Sequence, residues 1–389
     1  MTRTERPLVP FAVGAILFFD LVAYTALIPL LPRLREDLGA TELAIGLLVG
    51  VLAWGTLALG IPMSAVTDRI GPRRVTIAGS ILAGAALVAF GAATTFAGLF
   101  TARLVQGIAS AAVWVAGPSW AAVGADSAAR DRRTTSVTAA GMTGTIVGPG
   151  LGAWLATPDE PLRAFVVLGW IVIATTFVGL VATRRVGRSE PTRRPKLRDS
   201  MVVWRSPLFV VGAITTAAAA LTNSSESVII ALGLGERGVR ATTLGVLFSI
   251  GGAGLAVAQA SSTRVLPRWL PGRRAALALG ALAAVMALPA VVPTVGGLAT
   301  TVVGLPIVGG LAYGVALALI SQGSEETGST VAVGLAYWSV LWSAGASVGP
   351  TLHGWVLGTA GETVAVVVAA SVPALLAAAV LRIARPGLR

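Results

Sequence analysis

Four ionisable residues interrupt long apolar stretches of this chain: Asp20, Arg103, Glu226 and His353. A charged side chain at the centre of a lipid-buried helix costs at least about 2.5–3.5 kcal/mol, so each is a candidate for chemistry. Asp20 has no basic residue three or four positions away in its own stretch. Its carboxylate can hold a proton or a cationic ligand, but not readily both, and that competition is a physical basis for exchange. The plainer alternative is a neutral structural Asp bonded to a neighbouring helix. Glu226 stands in LTNSSESVII beside Asn223, Ser224 and Ser225, a polar cluster that suits the wall of a wet cavity. A helix end near water is the alternative there, because Glu236 and Arg237 follow closely. Arg103, with Gln106 and Gly107 behind it, is expected to pair with a carboxylate or to hydrogen-bond carbonyls while reaching toward the cytoplasm. His353 is the single histidine; it could titrate near neutrality, or sit buried and neutral.

These groups need elements to position them, and composition says which. Hydrophobic residues form 55% and charged residues 12% of the 389, with a mean hydropathy of +0.83. A soluble domain carries roughly 25% charged residues. The apolar runs are long enough for helices to cross a ~30 Å hydrocarbon core. Twelve spans are predicted, at 10–31, 43–66, 75–93, 96–121, 135–155, 162–181, 208–234, 244–261, 275–292, 298–320, 331–357 and 364–381. Helices are the expected element, because a lipid-buried backbone must satisfy its own hydrogen bonds. Of the 29 Lys and Arg, 23 fall in the loops of one side, five in those of the other, and Arg103 inside a span. The basic side is read as cytoplasmic, which puts both chain ends inside a cell membrane crossed many times. The net charge of +12 therefore reflects topology rather than nucleic-acid binding, and no nucleic-acid motif accompanies it.

The polar stretch around 184–206 divides the chain into a six-helix half, 1–183, and a second, 207–389, with a cytoplasmic linker between. The halves resemble each other: GTIVGPGLGAWL begins at Gly144 and GASVGPTLHGWVL at Gly345, six spans apart. Such repeats are a mark of secondary transporters, with the binding site near the midplane. Gly144, Gly148 and Gly152 recur every four residues and line one helix face, where small side chains let helices pack closely and slide; Pro149 is expected to kink the helix. Between spans two and three, Asp68, Arg69, Gly71, Arg73 and Arg74 form a charge cluster that could latch and release the cytoplasmic face. The sequence holds no cysteine, no Gly-Lys-Ser/Thr phosphate loop and no metal-ligand pair. An enzyme, a metal site and direct nucleotide use are therefore not expected, and no cofactor is implied beyond a proton or ion gradient.

Three motifs together resemble the major facilitator superfamily over nearly the whole chain: DRIGPRR from Asp68, RLVQGIASA from Arg103, and GTIVGPGLG from Gly144. The first is similar to the loop between helices 2 and 3, the second to the helix 4 motif linked to proton coupling, the third to the helix 5 signature of antiporters. FDLVAYTALIPLLP places Asp20, Tyr24, Pro29 and Pro32 as in the twelve-helix drug:proton antiporters and the related vesicular amine transporters, and Glu226 falls where the vesicular branch carries a Glu. The resemblance implies an all-α membrane protein with two pseudo-symmetric six-helix bundles. It implies alternating access about a central site, with Asp20 handling a proton or cation and Tyr24 lining the pocket. The expectation is proton-coupled efflux of small hydrophobic or cationic compounds, as in multidrug resistance, by a functional monomer in the bilayer. A nutrient importer of the same fold, for sugars or organic anions, is the alternative; a membrane receptor or enzyme is the remote one.

Overall fold

The computed structural model describes residues 8–125, 127–157, 159–183, 201–265 and 270–383; nearly all are helical, with no strand among them. Residues 184–200 of the expected linker lie outside the described residues, as do Arg3, Arg6, Arg268, Arg385 and Arg389. The helices are α1 Leu8–Thr25, α2 Leu31–Leu38, α3 Glu42–Ile70, α4 Pro72–Ala92, α5 Phe96–Ala121, α6 Ser127–Met142, α7 Gly144–Leu155 and α8 Arg163–Ala182. They continue as α9 Pro207–Glu236, α10 Ala241–Val265, α11 Pro271–Val291, α12 Val295–Glu326 and α13 Val331–Ile383. Ten helical stretches are each long and apolar enough to cross a membrane. The expected twelve are completed by α6 with α7, one span broken in the middle, and by α13, which holds two spans in succession.

Three departures from the expected boundaries have local causes. The first span does not run unbroken to Leu31. Its helix α1 ends at Thr25, a 3₁₀ turn follows at Ile28–Leu30, and α2 begins at Leu31. Pro29 and Pro32 have no amide hydrogen to return to the preceding turn, so the chain tightens there. The fifth span breaks at Thr143, ahead of Pro149, which lies inside α7. Around the break, the Thr143 amide donates to Ala140 O at 3.3 Å and the Ile146 amide to Thr143 O at 3.1 Å, three-residue steps in place of four. The hydroxyls of Thr143 and Thr145 donate to Ala140 O and Met142 O, at 2.7 and 2.8 Å. Pro149 offers no hydrogen to Thr145 O, which weakens the same stretch from the other side. The turn inside α13 is at Gly361, whose φ of 83° and ψ of 173° suit glycine almost alone.

The repeat seen in the sequence reappears in helix starts. α5 is capped by Thr95 Oγ1 accepting from the Gly98 amide at 3.2 Å, and α12 by Thr294 Oγ1 accepting from the Gly297 amide at 3.2 Å. Each helix is the fourth span of its half.

Two compact units are present. Unit 1 comprises Met1–Gly39, Val51–Arg193 and Ala241–Ser249; unit 2 comprises Ala40–Gly50, Arg194–Arg240 and Ile250–Arg389. In unit 1, Val9, Val13, Leu17, Val113, Trp120 and Val137 join α1, α5 and α6 in one buried cluster. In unit 2, Val203, Phe209, Ala213 and Ile320 pack together, with Tyr337 and Trp338 of α13 against them. Outward-facing Phe11, Trp154, Trp170, Phe177, Trp355 and Leu375 are exposed, as a lipid-facing surface requires. At one end of unit 2, Arg237 grips Glu362 with two hydrogen bonds of 2.7 and 3.0 Å and donates to Gly233 O at 2.8 Å. The Glu362 carboxylate holds this guanidinium above the ordinary arginine range.

Candidate functional site

Arg103, Gln106, Ser110 and Trp114 follow one another at steps of three, four and four, so they share one face of α5. That face meets α1. The helix is held in register from behind by Gly107, whose hydrogen lies so close to Leu52 of α3 that a Cβ would stand 2.9 Å from the Leu52 Cα. Thr56 Oγ1 donates to Gly107 O at 3.2 Å across the same seam.

Asp20 is 6% exposed. Its Oδ2 accepts from Ser110 Oγ at 2.6 Å and from Trp114 Nε1 at 2.8 Å. Indole is a donor only, so Oδ2 is the acceptor in this bond and in the one from Ser110. Oδ1 accepts no hydrogen bond from the described residues. Two aimed donors serve one oxygen of the carboxyl group and none serves the other among the described residues.

Arg103 is 1% exposed and lies one to two turns away on the same seam. Its Nη1 donates to Ala23 O at 3.2 Å and Gln106 Oε1 at 2.8 Å, and its Nη2 to Tyr24 O at 2.8 Å. α1 ends at Thr25, so those carbonyls have lost the amides that would otherwise bond them. The guanidinium therefore caps the end of α1, where the helix dipole also favours a cation. It sits 5.9 Å from the Tyr24 ring centre and 5.7 Å from that of Phe90. No ion pair joins it to Asp20 among the described residues. Of the two expected courses it takes carbonyls rather than a carboxylate, but it stays inside the unit instead of reaching outward. Its Nε and the Nε2 of Gln106 are buried with no partner among the described residues.

The glycine face of α7 packs on α1 as well. A Cβ on Gly144 would stand 2.9 Å from Leu21 Cβ, one on Gly148 2.6 Å from Val22 O, and one on Gly152 2.8 Å from Ala26 Cα. Close packing is as expected, and its partner is the helix that carries Asp20 and Tyr24. A different residue, Gly150, meets α10: its amide donates to Ser249 Oγ at 3.1 Å.

Unit 2 repeats this construction with different chemistry. Gly345 and Gly349 of α13 pack on α9, where a Cβ would stand 2.6 Å from Ala217 O and 2.5 Å from Leu221 O. His353 occupies the step taken by Gly152 in α7 and is fully buried. Its Nδ1 lies 2.8 Å from Ser225 Oγ and 2.9 Å from Gly349 O. Ser225 gives its own hydrogen to Leu221 O at 2.6 Å, so Nδ1 is the donor to both neighbours. Its Nε2 has no partner among the described residues. Glu226 is 2% exposed and makes no hydrogen bond or ion pair with the described residues; its Oε1 is buried and bare. Asn223 donates Nδ2 to Ala219 O at 2.8 Å, and its Oδ1 is likewise bare.

The charge cluster follows α3. Gly71 has φ 92° and ψ 145° and turns the chain from α3 into α4, with Pro72 opening the new helix. Arg69 and Arg74 are exposed, and Asp68 is half-buried. Arg73 Nη2 donates to Leu180 O near the end of α8 at 3.4 Å. No group of three or more His, Cys, Asp or Glu that could hold a metal ion occurs among the described residues.

The structure thus joins Asp20, Tyr24 and Arg103, and places Asn223 and Glu226 on one face of α9. Sequence reasoning passed over Ser110 and the indole of Trp114 as the partners of Asp20. Their spacing from Arg103 on a single helix face was the available signal.

The sequence profile of the Major Facilitator Superfamily matches residues 13–334. The chain is 32% identical over 252 residues to the chloramphenicol resistance protein of Streptomyces lividans, covering 60% of this chain and 62% of that one. It is 25% identical over 183 residues to multidrug resistance protein 1 of Bacillus subtilis (strain 168), covering 47% and 46%. The aligned region therefore spans less than two thirds of either relative. Among solved structures, a bacterial homologue of the human lysosomal transporter Spinster, inward-facing and occupied, matches with a TM-score of 0.78 at 17% identity over 99% of this chain and 98% of that one. The human organic anion transporter MFSD10 (TETRAN) matches with a TM-score of 0.65 at 16% identity over 96% and 99%. At those identities the likeness is one of fold.

Proposed function

The chain belongs to the major facilitator superfamily, and from that premise we propose that it is a proton-coupled antiporter exporting small hydrophobic or cationic compounds across the cell membrane. That it is a multi-pass membrane transporter of small molecules, not an enzyme, follows from the family. The observation that carries the finer reading is Asp20: one carboxylate oxygen is held by Ser110 and Trp114 and the other is free for a proton or a cation. The names of the two resistance proteins favour export.

In this reading Asp20 Oδ1 releases its proton when the substrate's positive charge arrives, and regains it when the substrate leaves. The proton gradient then drives the cycle without any bound cofactor. Tyr24 and Arg103 frame the same seam, and Arg103 ties its state to the end of α1 through Ala23 O and Tyr24 O. Glu226 and Asn223 are the binding residues of the second half. The halves 1–183 and 207–389 alternate about the linker 184–206, as a monomer with both chain ends cytoplasmic. Asp68, Arg69, Gly71, Arg73 and Arg74 serve as the cytoplasmic latch, and the Gly144–Gly148–Pro149–Gly152 face of α7 carries movement to α1.

The organic-anion alternative would enlist Arg103 as an anion anchor. Its Nη1 is spent on Ala23 O and Gln106 Oε1 and its Nη2 holds Tyr24 O, so an anion would have only the Nε hydrogen and the second Nη2 hydrogen to bind.

The test is transport in proteoliposomes under an imposed proton gradient, with a lipophilic cation such as ethidium as probe. Wild type should move the probe only with the gradient, and Asp20→Asn should not respond to it while inserting normally. Gradient-driven transport by Asp20→Asn at the wild-type rate would remove the assignment.

A further inference from the structure

The repeated motif of the two halves departs from itself at one step. Gly144, Gly148 and Gly152 of α7 correspond to Gly345, Gly349 and His353 of α13. At Gly152 the seam with α1 has no room for a side chain, since a Cβ there would stand 2.8 Å from Ala26 Cα. Gly345 and Gly349 keep the same close approach to Ala217 and Leu221 of α9. At His353 the seam opens enough to hold a whole imidazole, and the ring is fully buried.

The hydrogen bonds decide which ring nitrogen carries hydrogen. A carbonyl oxygen only accepts, so Gly349 O, 2.9 Å from Nδ1, requires Nδ1–H. Ser225 Oγ, 2.8 Å away, shares that hydrogen because its own goes to Leu221 O at 2.6 Å. In the neutral ring Nε2 is then a lone pair, and it is buried without a donor among the described residues. An unserved acceptor of this kind is costly to bury. Stapling α13 to α9 occupies Nδ1 alone and leaves Nε2 unexplained.

The charges along the elements packed on this part of α13 favour a cation on the ring. On α9, Glu226 follows Ser225 and has no partner among the described residues. At the start of α3, the backbone oxygen of Glu42 lies against Gly354, and its Oε2 is 3.0 Å from where a Cβ of Gly358 would stand. The remaining charges of α9 are Glu236 and, just past its end, Arg237, which is paired with Glu362 of α13. α11 carries charge only at Arg273 and Arg274 near its start, and α12 only at Glu325 and Glu326 at its end.

We infer that His353 is a second proton site of the transporter, its Nε2 taking a proton from water in one state of the cycle and returning it in another. The new N–H bond forms at the Nε2 lone pair, the ring gains one positive charge, and Nδ1 keeps its bonds to Gly349 and Ser225. Charging the ring acts where α13 meets α9, on the face that in α7 is all glycine. This deepens the antiporter reading and rests on it: one more proton is exchanged per substrate than Asp20 alone would carry.

His353 is the single histidine of the chain, so its protonation can be watched directly. The experiment is nitrogen-15 NMR of the full chain in detergent, labelled in histidine and purified without a histidine tag, from about pH 8 down to 5. Nδ1 should be protonated throughout, and Nε2 should pass from bare to protonated as the pH falls. An Nε2–H tautomer, or a ring signal that stays constant across the range, would overturn the inference. The titration is read on the wild-type chain, so it decides even if no variant folds. In proteoliposomes with the membrane potential clamped, the ethidium gradient sustained by a given pH step counts the protons exchanged per ethidium. His353→Gln should lower that count by one; an unchanged count in both His353→Gln and His353→Asn would also overturn the inference. Asp20→Asn should keep the NMR titration. If that variant also kept gradient-driven transport, the role of Asp20 would fall and the proton site at His353 would stand.

Discussion

The α1–α7 seam of unit 1 and the α9–α13 seam of unit 2 are built from one repeated motif and differ in what they do with a carboxyl group. Both pack a glycine face, Gly144 and Gly148 in one and Gly345 and Gly349 in the other, onto the first helix of their half. In unit 1 the carboxyl of Asp20 finds Ser110 and Trp114, and the end of α1 finds Arg103. In unit 2 the carboxyl of Glu226 finds no partner among the described residues, and His353 stands where α7 has Gly152. The shared backbone packing buries polar groups in each half. Whether they are satisfied depends on side chains from a third helix. A carboxyl with two fixed donors can stay charged between ligands; one with none must have its ligand or its proton to be tolerated at all.

The comparison predicts opposite responses to removing the two groups. The largest effect should be on coupling: Asp20→Asn should lower gradient-driven transport in proteoliposomes by about 100-fold or more, in the range expected for loss of a proton-transferring group. If Glu226→Gln did the same and Asp20→Asn did not, the two seams would have to exchange roles. Next, Arg103→Leu should cost about 3–5 kcal/mol of stability, because it strands two buried α1 carbonyls and Gln106. Loss of less than about 1 kcal/mol in a denaturation series would mean that α1 ends without its cap.

The sharpest contrast is in sign. Glu226→Leu should stabilise by about 1–3 kcal/mol, since it removes an unpaired buried carboxyl. Asp20→Leu, which orphans the Trp114 and Ser110 donors, should destabilise by a similar amount. Equal destabilisation by both would erase the distinction. The glycine faces should respond alike: Gly148→Ala and Gly349→Ala should each cost about 1–3 kcal/mol, because the obstacles include the backbone oxygens of Val22 and Leu221. The smallest effect should come from the clip of unit 2. Glu362→Gln should cost about 1 kcal/mol or less, as a half-exposed pair does. Because Arg237 is raised in the folded protein, its contribution is complete at lower pH and is lost only in strong alkali, so stability near neutrality should show no step from it.

Much of this was legible beforehand. The twelve spans, the four intramembrane ionisable residues and the repeated Gly-Pro motif were all read from the sequence, with the first span's end and the break at Thr143 as the main departures. Proline positions mark where a helix is weakened, but the chain breaks where neighbouring hydroxyls can take up the freed carbonyls, as Thr143 and Thr145 do. The glycine face of α7 was recognised, yet its partner α1 was not, since spacing shows that a face is small and not what rests against it. Arg103 was read as a coupling charge; its duty at the end of α1 became visible only with the carbonyls of Ala23 and Tyr24 beside it.

The sequence by itself determined that this chain crosses a membrane in helices, in two related halves, with a handful of charges inside. The reason is local: lipid offers the backbone no hydrogen bonds, so apolar runs of sufficient length must coil and every buried charge stands out. Tertiary structure alone decided which of those charges is served and which is bare. Asp20 meets its donors across ninety and more positions of chain, and Glu226 meets none among the described residues, because helix packing selects partners by distance in space.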